Sequence, residues 1–173
     1  RDTAGNAGRI GPGDVQWMTA AAGVLHEEKH TQEFTRHGGT LHMVQLWVNL
    51  PAREKMTPPR YQTLPDRDIP AVALPGAGGR VRVIAGEFQG AQGPARTVTP
   101  INLWDVRLPA GAALDLSLPS GHTTALVVQS GEVVLNGADE ATEPDLALFE
   151  RDGEDVGVEA RSDAMLLVLS GEP

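Results

Sequence analysis

The feature that most constrains this chain is a series of short segments in which apolar residues alternate with polar ones. In one of them, Leu114, Leu116 and Leu118 share one face of an extended chain, while Asp115 and Ser117 share the other. Segments of this kind, or apolar on both faces, span residues 41–50, 80–86, 114–118, 125–137, 146–160 and 164–169. Many short strands with almost no helical periodicity predict an all-β sandwich or barrel.

Three of these segments carry more specific predictions. Residues 41–50 are apolar on both faces, which predicts a strand buried on both sides. Residues 125–137 predict a strand, a turn at Ser130-Gly131 and a second strand. Residues 146–160 repeat that plan around Asp152-Gly153, which is a strong signal for a β-hairpin.

The composition excludes several classes of protein. A net charge of −9 and a pI near 4.9 argue against direct binding of nucleic acid, which normally requires a basic face. The chain has no cysteine, so it has no disulfide, no thiolate metal site and no cysteine nucleophile. No apolar run approaches the roughly 18 residues of a membrane span, and no signal-peptide pattern is visible. We therefore expect a cytoplasmic protein that does not act at a membrane.

The distribution of prolines suggests a domain boundary. Residues 51–79 contain six prolines and no alternating pattern, which predicts an ordered connector rather than part of a sheet. Residues 80–173 contain enough strands for a complete small barrel, whereas residues 1–50 contain only enough for part of one. We expect residues 1–50 to be part of an N-terminal domain, residues 51–79 to be a connector, and residues 80–173 to be a C-terminal domain.

One short motif has the chemistry of a metal site. If residues 26–28 are extended, His26 and Glu28 project from the same face and Glu27 from the other. An imidazole nitrogen beside a carboxylate oxygen suits Fe(II), Mn(II), Zn(II) or Ni(II), and resembles the ligands of non-haem iron oxygenases. The alternative is a solvated acidic stretch, because His-x-Glu occurs by chance and two ligands rarely hold an ion tightly.

The remaining histidines favour structural interpretations. His30 and His37 have polar neighbours, which is typical of surface residues. His42 and His122 are each placed at the start of a predicted strand, where a hydrogen-bonded structural role is expected.

Four longer motifs resemble the pirin family, a branch of the cupin superfamily. They are GPGDVQWMTAAAGVLHEE (11–28), LHMVQLWVNLPAREKMTPPRYQ (41–62), RVRVIAGEFQGAQGP (80–94) and MLLVLSGEP (165–173). The resemblance implies a bicupin, two jelly-roll β-barrels, with the first barrel incomplete here. It also implies one iron, bound in the N-terminal barrel by three histidines and a glutamate. Two of these ligands fall on His26 and Glu28, and the other two are expected upstream of Arg1, in a longer protein.

This sequence departs from the family pattern at a few positions. Ala21 stands where the family usually has glycine, and Glu27 stands where it usually has serine. In the second barrel, Leu118 and Ser120 occupy the places of the histidines of a metal-bearing cupin, which leaves His122 alone. We therefore expect the C-terminal barrel to be metal-free and structural or regulatory.

The resemblance implies two functions of different classes. One is an Fe(II)-dependent dioxygenase of the quercetin 2,3-dioxygenase type, acting on a flavonol-like substrate, with Glu28 as a ligand and as the base that takes the substrate proton. The other is a non-catalytic, iron-dependent regulator that contacts a transcription factor or a metabolic enzyme. A third interpretation is a scaffold, which would dimerise to cover the unpaired sheet edge of its first domain.

Overall fold

The computed structural model of the protein describes residues 1–76 and 78–173. The chain divides into two compact units, Arg1–Thr63 and Leu64–Pro173. Both are built mainly from strands, turns and loops, as the alternating sequence pattern predicts.

The first unit contains little regular structure. Strand β1 (Val15–Thr19) pairs with β2 (Arg60–Leu64), and a short helix, α1 (Gln32–His37), lies between them in sequence. The hydroxyl of Thr31 caps α1 by accepting a hydrogen bond from the Phe34 amide at 3.1 Å. A 3₁₀ turn follows at Ala52–Glu54. None of residues 1–63 is buried, so this unit has no apolar core of its own.

The prediction that residues 41–50 form a strand buried on both sides is wrong. These residues form no strand, and the apolar side chains of residues 41–48 are exposed, Trp47 to 88%. A strand is stable only when neighbouring strands pair with its backbone. Among the described residues, none pairs with this segment in a sheet. His42, expected to open the strand, is also exposed.

The second unit consists mainly of two antiparallel sheets. Its strands are β3 (Ala71–Ala73), β4 (Arg80–Ala85), β5 (Glu87–Phe88), β6 (Ala91–Gln92), β7 (Ile101–Leu108), β8 (Ala113–Ser117), β9 (Thr123–Ser130), β10 (Glu132–Leu135), β11 (Asp139–Thr142), β12 (Leu146–Leu148), β13 (Asp155–Ala160) and β14 (Ala164–Gly171). One sheet has six strands in the order β12-β9-β14-β7-β4-β3, and the other has four in the order β11-β10-β13-β8. Strands β5 and β6 form a separate small hairpin.

The core of the second unit lies between the two sheets. Alternate residues of each strand point inward, such as Trp104 and Val106 on β7 and Leu114 and Leu116 on β8, and they form one buried cluster. Both sheets remain open at their edges, so they make a jelly-roll sandwich rather than a closed barrel. The predicted all-β cupin fold class is confirmed.

Two predictions about connections are wrong. Strands β12 and β13 do not form a hairpin around Asp152-Gly153, because β12 pairs with β9 and β13 pairs with β8 and β10. The six-residue link 149–154 instead passes from one sheet to the other, which a two-residue turn could not do. The proline-rich range 51–79 is also not free of sheet structure, because it contains all of β2 and all of β3. Both are short edge strands, where proline neighbours are tolerated.

The predicted turn at Ser130-Gly131 is confirmed, and it forms a corner between the sheets. Strand β9 ends at Ser130 in the six-stranded sheet, and β10 begins at Glu132 in the four-stranded sheet. Gly131 has a φ of +85°, and a Cβ atom there would collide with the Asp163 carbonyl oxygen. Only glycine fits this corner without strain.

A buried ion cluster lies at the junction of β4 and β7. Arg82, which is 7% exposed, donates from Nη1 to Asp105 Oδ2 at 2.6 Å and pairs through Nη2 with Asp66 Oδ1 at 2.6 Å. The guanidinium of Arg107 contacts the other Asp105 oxygen at 3.3 Å. Asp105 is therefore shared by two arginines, and its removal would leave a buried cation with fewer partners.

Candidate metal site

His26 and Glu28 lie on the same side of an extended segment of the first unit. His26 Nε2 is 3.7 Å from Glu28 Oε1, although only His26 takes part in a β-bridge, with Asp2. The His26 side chain is 31% exposed and that of Glu28 is 48% exposed. The i, i+2 spacing thus brings the two groups together, as an extended backbone does even outside a regular strand.

Backbone hydrogen bonds to the first residues of the chain keep this segment extended. The Thr3 amide donates to the Leu25 carbonyl at 2.9 Å, and the Glu27 amide donates to the Arg1 carbonyl at 2.9 Å. The Thr3 hydroxyl also accepts a hydrogen bond from the Leu25 amide at 3.1 Å. Residues 1–3 therefore pair with the backbone of residues 25–27 and hold the segment that carries His26 and Glu28 extended.

Glu27 points away from the other two side chains, as the spacing predicts. It pairs with Lys29 at 2.8 Å and lies 3.8 Å from the Arg1 guanidinium. The hydrogen bond from Lys29 and the positive charges of Lys29 and Arg1 together lower the pKa of Glu27. Glu27 thus forms ion pairs with cations of its own beside the motif.

Gln45 is a neighbour of the motif that sequence reasoning missed. Its Nε2 donates to Glu28 Oε1 at 3.4 Å from a position 17 residues further along the chain. Nothing in the spacing of the His-x-Glu motif points to this glutamine. Only its place as one of three polar residues in the apolar stretch 41–50, with His42 and Asn49, could have drawn attention to it.

The two side chains fit part of a ligand set for a divalent metal. Bonds of about 2.0–2.2 Å are typical for imidazole nitrogen and carboxylate oxygen, so one ion can touch two atoms 3.7 Å apart. Three or four protein ligands are usual, however, and the described residues contain no group of three histidines, aspartates or glutamates arranged to hold a metal. His26 and Glu28 thus supply two donors of a larger set.

The other histidines have structural partners or are exposed. His30 packs edge-on against Phe34, with ring centroids 5.0 Å apart. His122 immediately precedes β9, and its Nδ1 lies 3.2 Å from the hydroxyl of Ser170. A hydrogen-bonded role for His122 is thereby confirmed.

Ala21 occupies a strained position before the motif. Its φ is +43°, in the left-handed region. Glycine adopts this region readily, asparagine and aspartate adopt it sometimes, and other residues seldom do. The glycine that the family usually carries there would adopt this angle at no steric cost.

Comparison with known proteins agrees with both the fold and the motifs. The family profile described as Pirin matches residues 1–48, and that of the Pirin C-terminal cupin domain matches residues 103–173. The chain belongs to the pirin family, a class of cupin proteins.

Three similar proteins illustrate the relationship. A Pseudomonas aeruginosa protein, named provisionally as a quercetin 2,3-dioxygenase, is 57% identical over 99% of this chain and 60% of its own length. Human pirin is 36% identical over 99% of this chain and 58% of its own length. The crystal structure of a quercetin 2,3-dioxygenase from Acinetobacter baumannii has a TM-score of 0.96 and 48% identity, covering 100% of this chain and 60% of that one. The chain thus spans about 60% of the length of these relatives. Among the described residues, no helix is long and apolar enough to cross a membrane.

Proposed function

We propose that His26 and Glu28 are two ligands of the metal centre of a pirin-type cupin, and that the metal is Fe(II). The observation that carries this proposal is the 3.7 Å approach of an imidazole nitrogen and a carboxylate oxygen on one side of an extended segment. Their mixed nitrogen and oxygen chemistry suits Fe(II). Similarity to proteins named as quercetin 2,3-dioxygenases supports a dioxygenase that acts on a flavonol-like molecule.

The two side chains have separate roles in this proposal. When bound, Fe(II) supplies the Lewis acidity and the redox chemistry towards O₂ that amino-acid side chains lack. Neutral His26 contributes a nitrogen donor. Glu28 contributes an oxygen and accepts the proton of the substrate hydroxyl, and its 48% exposure leaves it accessible to a substrate. The hydrogen bond from Gln45 limits the rotation of the Glu28 carboxylate.

The domain boundaries are part of the same proposal. Residues 1–50 would belong to the metal-binding N-terminal cupin domain, residues 51–79 to the connector, and residues 80–173 to a metal-free C-terminal cupin domain.

Metal analysis of the natural full-length protein tests the proposal. We expect close to one iron per chain in protein purified without added metal. His26→Ala and Glu28→Gln are each expected to lower the iron content at least tenfold, because each removes one donor of a small set. His37→Ala serves as the matched control, because His37 is an exposed histidine of the same unit. Full iron content in both ligand variants would contradict the proposal.

An assay of quercetin turnover distinguishes a dioxygenase from a non-catalytic regulator. Oxygen consumption with quercetin that requires iron and Glu28 supports a dioxygenase. The alternative is a non-catalytic, iron-dependent regulator that contacts a transcription factor or a metabolic enzyme. Stoichiometric iron without turnover would support that second function.

A further inference from the structure

A cavity of about 230 Å³ lies in the second unit. It lies between the loop 118–122, which joins β8 to β9, and the loop 149–154, which joins β12 to β13. Leu118, Phe149 and Val156 supply its apolar walls. These residues take no part in the proposed metal site, and the cavity lies wholly within residues 118–156.

Backbone hydrogen bonds hold the mouth of the cavity in shape. The Leu118 amide donates to the Glu154 carbonyl at 2.6 Å, and the Gly121 amide donates to the Arg151 carbonyl at 2.9 Å. These bonds tie the two loops directly to each other. Their shape is therefore set by the fold before any ligand arrives, which lowers the entropic cost of binding.

An unpartnered hydroxyl faces this cavity from inside the unit. Thr124 lies on the inward face of β9, in register with the core residues Leu126 and Val128, and it is 6% exposed. Its side chain lines the cavity and forms no hydrogen bond with any described residue. The Thr124 side chain is thus open to the cavity, and a polar group bound there can form the hydrogen bond that the protein does not supply.

The His122 ring is a second polar group in the cavity wall, and it is held in place. Its Nδ1 lies 3.2 Å from the hydroxyl of Ser170, which is 2% exposed. When Nδ1 carries the proton and donates it to Ser170, Nε2 is left as a hydrogen-bond acceptor.

Apart from Asn136, the other polar side chains of the lining are acidic. Glu150, Asp152, Glu154 and Asp155 line the cavity, and the hydroxyl of Ser117 donates to Asp155 at 2.9 Å. Among the described residues that line it, none is a lysine or an arginine. Carboxylates focused on one opening attract a positive charge, and ionised carboxylates only accept hydrogen bonds.

From these features we infer that the cavity is a binding site for a small organic cation, a protonated amine with a compact apolar body. The ammonium group donates hydrogen bonds to acceptors in the lining, and the apolar body packs against Leu118, Phe149 and Val156. The volume of about 230 Å³ lies below the roughly 300–1,000 Å³ of pockets for drug-sized ligands, which limits the ligand to a small molecule.

Three probes of the same shape test the charge preference. Benzylamine, benzyl alcohol and benzoate share one ring and differ in charge, and NMR titration at neutral pH would follow the amides of Thr124, Asn136 and Gly153. We expect benzylamine to bind with a Kd on the order of 1 mM, the scale of a ligand of this size. Benzyl alcohol should bind at least fivefold more weakly, and benzoate should not bind. Equal affinity for benzoate, or no binding of benzylamine, would overturn the inference.

Variants that replace carboxylates by neutral amides test whether binding depends on the acidic residues of the cavity or only on the net charge of the protein. Glu150→Gln, Asp152→Asn and Glu154→Gln together should weaken benzylamine binding at least tenfold. A control with Glu132→Gln, Asp139→Asn and Glu140→Gln removes the same charge from exposed positions of β10 and β11 and should retain the affinity. Equal losses in the two sets would mean that only net charge matters, and the inference would fail.

An isosteric change tests the inner end of the cavity. Thr124→Val removes the hydroxyl while keeping the shape of the side chain, so the unit should remain folded. We expect a loss of benzylamine affinity of at least threefold, and unchanged affinity would contradict the role given to this hydroxyl.

Discussion

The ion cluster of the second unit provides a sharp test of how this fold is stabilised. The Arg82 guanidinium is held by Asp105 and Asp66, each at 2.6 Å, and the Arg82 side chain is only 9% exposed. Replacing Asp105 by asparagine keeps the shape of the side chain but removes the charge that faces Arg82. The Arg82 guanidinium then stays buried, and of these two aspartates only Asp66 still carries a negative charge. The Asp66 side chain is 58% exposed.

The expected loss follows from burial and from the remaining partner. Breaking a buried ion pair by removing one side costs about 3–5 kcal/mol, because the other charge is left uncompensated. Since Asp66 still faces Arg82, we expect a smaller loss than this, about 2–3 kcal/mol of the free energy of unfolding. For a chain of this size that corresponds to a fall in Tm of roughly 4–12 °C.

Urea unfolding followed by fluorescence measures this loss directly, because Trp104 is buried in the core of the same unit. Asp68→Asn is the matched control, because Asp68 pairs with Arg67 at 3.8 Å on the surface, and we expect a change below about 0.5 kcal/mol. The double variant Arg82→Met with Asp105→Leu removes both charges and should recover most of the stability. An Asp105→Asn protein within about 0.5 kcal/mol of the wild type would refute the reasoning.

Three further outcomes are expected. Ala21→Gly should stabilise the first unit by about 1 kcal/mol, because it relieves the positive φ of +43°, and hydrogen exchange of residues 1–63 would show it. Gly131→Ala should cost at least about 2 kcal/mol in urea unfolding, because of its φ of +85° and the collision with the Asp163 carbonyl oxygen. The hydrogen bond from the Asn6 side chain lowers the pKa of Asp2, so Asn6→Ala should raise that pKa towards 3.8 in an NMR titration. Because the folded pKa is the lower one, the stabilisation from this bond is present above about pH 4 and is lost as the pH falls through the folded value.

The second unit could be predicted from sequence largely because its strands are half-buried. Strand β8 was expected at residues 114–118 and spans Ala113–Ser117, and β4 was expected at residues 80–86 and spans Arg80–Ala85. Alternation of apolar and polar residues directly records which side chains face the core. It does not record which strands pair, so the link 149–154 was mistaken for the turn of a hairpin.

The candidate sites show the same limit. The i, i+2 spacing was enough to bring His26 and Glu28 together, because that relation is local in the chain. Gln45 and the cavity around Thr124 were not foreseen, because they depend on contacts between distant segments. His122 could be assigned a hydrogen bond from its place before a strand, but the cavity beside it is formed by two loops from different parts of the sequence.

Burial also explains why the two units should respond differently to iron. The second unit has a continuous apolar core, whereas no residue of Arg1–Thr63 is buried and His26 and Glu28 are positioned mainly by backbone hydrogen bonds. A metal that binds only the ordered arrangement of its ligands stabilises that arrangement by its binding free energy. Iron held by His26 and Glu28 is therefore expected to increase the order of residues 26–28 more than that of the second unit, whose packing already fixes its structure.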